Sequence, residues 1–216
     1  TPSVAGRAVP ERLRTTKAEG YGIASQDDSG RTVVWIVGAD DRGILFGVGR
    51  LLRALDWGPK QAALAHPLDD VTAPKYPLRG HQLGYRPTAN TYDAWDVAQY
   101  EQYIRDLAVF GSNAVENIPL QDQTCPLMKA PREEMNRAVA EICRRYGIEH
   151  WAWLPVDVDL SDPNNALEHK ERTARAVAGM SRLDALFVPG GDPGNNPPGL
   201  LLPYLEELAE VLKKTH

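Results

Sequence analysis

The chain has 216 residues, of which 43% are apolar and 25% charged, with a formal net charge of −5. This is the balance of a globular protein long enough to bury a sizeable core, and its sign leaves no basic field to hold nucleic acid. No apolar run approaches the ~20 residues of a membrane-spanning helix. The two cysteines, Cys125 and Cys143, have neither metal nor redox spacing and read as free thiols. The sequence starts at Thr1 without a methionine, so the lack of a visible signal peptide carries no weight.

Two styles of sequence follow one another. In the first, residues 1–73, "GYGIAS" (20–25) and "RTVVWIVGA" (31–39) alternate like strands, with Asp27-Asp28-Ser29-Gly30 as the turn between them. "ILFGVGRLLRAL" (44–55) has helical spacing, which predicts Ile44, Val48, Leu51, Leu52 and Leu55 on an inward face. Asp40 or Asp41 is placed to cap that helix, and Arg50 and Arg53 suit its C-terminal end. The segment therefore reads as a small α+β domain, a sheet with helices on one face. "DDVTAPKYPLRG" (69–80) reads as a connector, because Pro74 and Pro77 exclude helix.

From residue 74 onward the rhythm becomes strand, helix, strand, helix. Strands are expected at 78–85, 113–119, 148–160 and 185–191. Helices are expected at 95–111, 131–147, 166–180 and 199–215. Gly111 and Gly147 stop the first two helices. Such repetition implies parallel strands. Four βα units are half of the eight in a closed barrel, which usually takes about 250 residues. The expectation is a chain cut at both ends, with 74–216 as the first half of a TIM-type barrel. An open doubly wound sheet is the competing architecture.

In parallel βα folds the chemistry sits at the C-terminal ends of the strands. At the first strand, Arg79 offers a guanidinium fork that suits two adjacent sugar hydroxyls; a salt bridge at the domain junction is its other reading. His81 is either a ligand-binding group or a hydrogen-bonded core histidine. The long loop after it carries Tyr85, Arg86, Asn90, Tyr92, Asp93 and Trp95, a polar and aromatic set suited to lining a site. At the second strand, Glu116 is either an inward acid or a paired structural carboxylate. At the third, Asp157 and Asp159 fall on one side of a strand, where each can raise the pKa of the other. A solvated strand end explains them equally. At the fourth, "GGDPGN" (190–195) delivers Asp192 and Asn195 behind two glycines that permit close approach; simple turn chemistry is the alternative. No motif calls for a metal or cofactor.

Several of these segments together resemble glycoside hydrolase family 20, the β-N-acetylhexosaminidases. "VGADDRGILFGVGRLLRAL" (37–55) looks like that family's G-A-D-x-R-G turn and helix. "YPLRG" (76–80) looks like its barrel entry, "GSNAVENIPLQDQ" (111–123) is a looser match, and "WLPVDVD" (153–159) is looser again. The resemblance implies that Arg79 binds sugar hydroxyls and that Asp192 orients an acetamido group. It also implies a carbohydrate substrate and an exported location. The family's next residue is the general acid, and here Pro193 stands in that place. Family 67 α-glucuronidases share the order of small α+β domain then barrel and are a near alternative. Two other classes stay open: a carbohydrate-binding protein without catalysis, and an unrelated α/β enzyme taking a phosphorylated ligand at "GGDPGN". Asp192 repels an anion at that place.

Overall fold

The computed structural model describes residues 3–83, 90–118, 125–189 and 194–216. The chain divides into two compact units. One comprises Thr1–Arg79 and Arg105–Ser112, the other Gly80–Ile104 and Asn113–His216.

In the first unit, β1 (Ser3–Val4) and β2 (Arg7–Ala8) form a short hairpin, followed by a 3-10 turn at Glu11–Leu13. β3 (Tyr21–Asp28) and β4 (Arg31–Gly38) pair antiparallel from Tyr21↔Gly38 to Asp28↔Arg31. Ser29 (φ 57°) and Gly30 (φ 81°) are both left-handed, as a two-residue hairpin turn that follows the strand twist requires. α1 (Asp41–Ala54) then crosses the sheet, capped by Asp40, whose side chain accepts a hydrogen bond from the Gly43 N–H at 2.8 Å. β5 (Leu55–Gly58) and β6 (Gln61–Leu64) form a second hairpin, and β7 (Asp69–Thr72) pairs with the free side of β3.

Two expectations are corrected here. Residues 69–72 are a strand and not connector, since the prolines that exclude helix lie beyond them. The buried face of α1 is Gly43, Phe46, Gly47 and Gly49, while Ile44, Val48 and Leu52 turn outward and Leu51 and Leu55 are half-buried. Backbone contact is the reason. A Cβ on Gly43 would lie 2.2 Å from the Gly20 carbonyl oxygen, and one on Gly47 2.5 Å from Ile36 Cγ2. Spacing of large apolar residues cannot register a helix that docks through its glycines.

The second unit alternates β8 (Gly80–Gln82), α2 (Val97–Val109, its end grouped with the first unit), β9 (Ala114–Asn117), α3 (Arg132–Tyr146), β10 (Glu149–Trp153), α4 (Pro163–Ala178), β11 (Ala185–Phe187) and α5 (Pro198–Leu212). The strands form one all-parallel sheet in the order β8-β9-β10-β11. Gly147 ends α3 at φ 65°, and Asp162 caps α4 with Pro163 in its first turn. The fold is thus a small α+β unit followed by four βα units. β10 is shorter than expected: Pro155 has no N–H for the ladder, so Asp157 and Asp159 lie beyond the strand.

Side chains alternate between the two faces of the sheet. One face meets the helices: Asn117 bonds Asn136 of α3, and Leu186 and Val188 pack with Tyr204 and Leu208 of α5. Val115, His150 and Ala152 are buried on that side. Among the described residues, the opposite face carries Gln82, Glu116, Glu149, Trp151, Trp153 and Phe187, all half-buried or exposed.

Candidate functional site

That second face brings together groups with sugar-binding chemistry. The register sets Gln82 opposite Glu116, and Glu116 opposite Trp151. The Gln82 side-chain amide donates to Glu116 Oε1 at 2.9 Å. Partial burial pushes the Glu116 carboxyl above its ordinary range, and the Gln82 hydrogen bond pulls it part of the way back. The Trp151 indole N–H donates to Glu149 Oε2 at 3.1 Å. Glu116 and Gln82 stand at or next to the C-terminal ends of their strands, where a parallel βα fold displays its reactive groups.

A second group forms where the chain leaves β10 and β11. Asn196 Oδ1 accepts from the Leu160 N–H at 2.9 Å, and its Nδ2 donates to the Val158 carbonyl at 2.8 Å. Gly194, at φ 138°, passes so close to the Val156 carbonyl that a Cβ would lie 2.8 Å from that oxygen. Gly194 and Asn196 are therefore fastened to the segment 156–160. Asp192 lies outside the described residues, as do Tyr85 and Arg86. Asn195 is exposed, and its neighbour Asn196 makes the bonds. Asp157 is exposed and 3.6 Å from Arg172. The expected mutual elevation with Asp159 is corrected: the Ser161 hydroxyl and N–H donate to Asp159 and hold its carboxyl below its ordinary value.

Other candidates have structural partners. Arg79 belongs to the first unit. Its Nε donates to the Gly111 carbonyl at 2.9 Å, one terminal nitrogen to the Tyr76 carbonyl at 2.8 Å, and the other to Glu19 at 2.5 Å. Glu19 also receives Arg42 at 2.8 Å. This arrangement fits the salt-bridge reading of Arg79 that the sequence left open. His81 turns to the helix side, where its Nδ1 bonds the Tyr103 hydroxyl of α2 and the rings meet edge to face. Asp93 is buried and paired with Arg132 at 3.1 Å, and Asn90 closes a turn by accepting from the Asp93 N–H at 3.0 Å. Trp95 packs edgewise on Tyr92 and Tyr100. Asp93 and Trp95 thereby join the stretch before α2 to α3 and to α2.

Sequence reasoning passed over Gln82, Glu149, Trp151 and Trp153. The signal for three of them was parity: Glu149, Trp151 and Trp153 sit two residues apart on one strand face. It also passed over two buried histidines on the helix side. His150 is enclosed, with Nδ1 donating to the Arg182 carbonyl at 2.9 Å and Nε2 facing the Asn117 amide at 3.3 Å. Burial pushes its pKa down to about 4. His169 Nδ1 accepts from the Tyr204 hydroxyl at 2.5 Å, and its Nε2 donates to the Pro155 carbonyl at 3.2 Å. This bond chain ties α4 and α5 to the loop after β10. Cys143 is a buried free thiol pushed up to about 12 by burial. Among the described residues no cluster of His, Cys, Asp and Glu is arranged to hold a metal, and no helix is long and apolar enough to cross a membrane. An apolar cleft of about 460 Å³ between β11 and α5 is lined by Leu186, Phe187, Val188, Leu205, Leu208, Ala209 and Leu212, and offers a sugar no polar side chain.

The fold is shared with part of several glycoside hydrolases of known structure. CpGH84B aligns with a TM-score of 0.63 at 15% identity, over 90% of this chain and 34% of that one. A glycoside hydrolase family 20 β-N-acetylglucosaminidase aligns with a TM-score of 0.62 at 13% identity, over 92% of this chain and 53% of that one. The family 20 chitobiase of Flavobacterium johnsoniae aligns with a TM-score of 0.60 at 13% identity, over 91% and 38%. The chain therefore spans about a third to a half of the length of these structures. No family model matches the sequence, and no curated protein matches it.

Proposed function

We propose that this chain is part of a glycoside hydrolase acting on O-glycosidic bonds of oligo- or polysaccharides, and that the stretch 74–216 contributes four βα units to a barrel. The observation that carries this reading is the sheet face bearing Glu116, Gln82, Trp151 and Trp153. A carboxyl, an amide and indole rings are the groups that bind a pyranose, through its hydroxyls and its apolar ring face. The likeness of fold to glycoside hydrolases supports it. In this reading Glu116, Asp157 and Asp192 are the acids to test, and Asn195 is a candidate hydrogen-bonding group.

Glycosidase chemistry needs a proton donor for the leaving oxygen and a second group at the sugar carbon. Pro193 does not serve as that donor. This favours one second reading, a carbohydrate-binding protein on a hydrolase scaffold. The test is calorimetric titration with N-acetylhexosamines, hexoses and hexuronic acids, beside hydrolysis of the matching aryl glycosides. Binding with turnover supports the hydrolase, and binding without turnover supports the second reading. Failure to bind any of these sugars by a chain that melts cooperatively overturns both.

A further inference from the structure

The Gln82–Glu116 pair is the polar centre of the second sheet face. Glu116 sits on β9 between Gln82 of β8 and Trp151 of β10 in paired register. Its neighbours on the same face of β9 are Ala114 and Ile118, both buried and uncharged. From β8 the facing groups are Gly80 and Gln82. From β10 they are Trp151 and Glu149, with Glu149 accepting from the Trp151 indole. Among the described residues of this face there is no cation to hold Glu116 ionised.

We infer that Gln82, Glu116 and Trp151 form a pyranose subsite, in which Gln82 is the positioning residue that aims the Glu116 carboxyl. The amide of Gln82 occupies one carboxyl oxygen at 2.9 Å and leaves the other for a sugar oxygen. Trp151 gives a neighbouring indole against which a ring can pack. The protonated carboxyl donates to a sugar oxygen, whereas the carboxylate accepts from a hydroxyl. Affinity therefore follows the protonation of Glu116. Half-burial raises that midpoint and the Gln82 bond opposes the rise, so removing the amide moves it further up. The inference rests on the carbohydrate reading above.

The experiment is a carbon-detected NMR titration of Glu116 in the 216-residue chain, alone and with N,N′-diacetylchitobiose, cellobiose or a hexuronic disaccharide. It is run beside Gln82→Met, which keeps the length and removes the donor, and Glu116→Gln, which keeps the shape and removes the titration. The expected result is a Glu116 midpoint that rises in Gln82→Met and moves again with one disaccharide. In Glu116→Gln, whose amide donates as the protonated carboxyl does, the affinity for that disaccharide should lose its dependence on pH. A merely structural Gln82 leaves the midpoint unchanged, and that result overturns its positioning role. A disaccharide that binds but perturbs other signals overturns the subsite and leaves the carbohydrate reading standing. A chain in which the Gln82 effect appears but no disaccharide binds overturns the subsite and the carbohydrate reading together.

Discussion

Lowering the pH from 7 to 4 is expected to weaken the second unit by about 3 kcal/mol through His150 alone. The imidazole is enclosed, and its two nitrogens face a carbonyl that only accepts and an amide that presents N–H groups. The Asn117 carbonyl oxygen is already taken by the Ile118 N–H at 2.8 Å, which fixes the amide's orientation. A proton added to His150 Nε2 would meet a donor in a fully buried site. Burial thus moves the pKa from 6.5 to about 4. The folded state binds this proton less readily than the unfolded chain. The stabilising difference is fully present above about 6.5, declines as the pH falls, and is gone below about 4. At about 1.4 kcal/mol per unit, the loss is about 2 kcal/mol at pH 5 and about 3 kcal/mol at pH 4. His169, also lowered by burial, acts in the same direction. Urea unfolding at several pH values, in the wild-type chain and in His150→Asn, measures the difference. The variant starts from lower stability, but the readout is the slope between pH 6.5 and 4. Parallel slopes in the two proteins, or a His150 ring that titrates near 6.5 by NMR, would refute the reasoning.

Gly43→Ala drives a Cβ to 2.2 Å from the Gly20 carbonyl, so thermal melting should show the first unit losing about 1–3 kcal/mol or failing to form. Asp93→Asn removes the carboxylate charge that Asp93 sets against buried Arg132. A loss of about 3–5 kcal/mol in denaturant unfolding is expected, and a neutral result would mean that solvent reaches the pair. Asn196→Ala removes the side-chain bonds to the segment 156–160. Its stability cost is expected at about 1–3 kcal/mol, with faster hydrogen exchange at the Leu160 amide.

The alternation of strands and helices in the second unit was legible because each helix carries its own stop and start signals. Gly147 ends α3 in the left-handed conformation and Asp162-Pro163 opens α4. The hairpin of β3 and β4 was legible for the same local reason, the turn at Ser29-Gly30. The face of α1 was not. It depends on contacts between glycines and a sheet strand far away in sequence, and apolar spacing is silent about those. Candidate acids were found by type, but their surroundings were hidden. Asp93 and Glu116 look equally functional as letters. Only packing gives the first a buried arginine and the second an amide and an open face.

By itself the sequence determined the order of strands and helices in the second unit, the parallel character of its sheet and the set of carboxylates near its strand ends. These follow from local propensity, from periods of two and 3.6, and from the chemistry of glycine and proline, all of which act within a few residues. Tertiary structure alone decided which side chains have partners. It placed Arg79 in a network with Glu19 and Gly111, turned His81 to Tyr103, and left Gln82 and Glu116 together on the uncovered face. Pairing of that kind joins residues tens of positions apart through strand register and burial, and neither quantity is written in any short stretch of the chain.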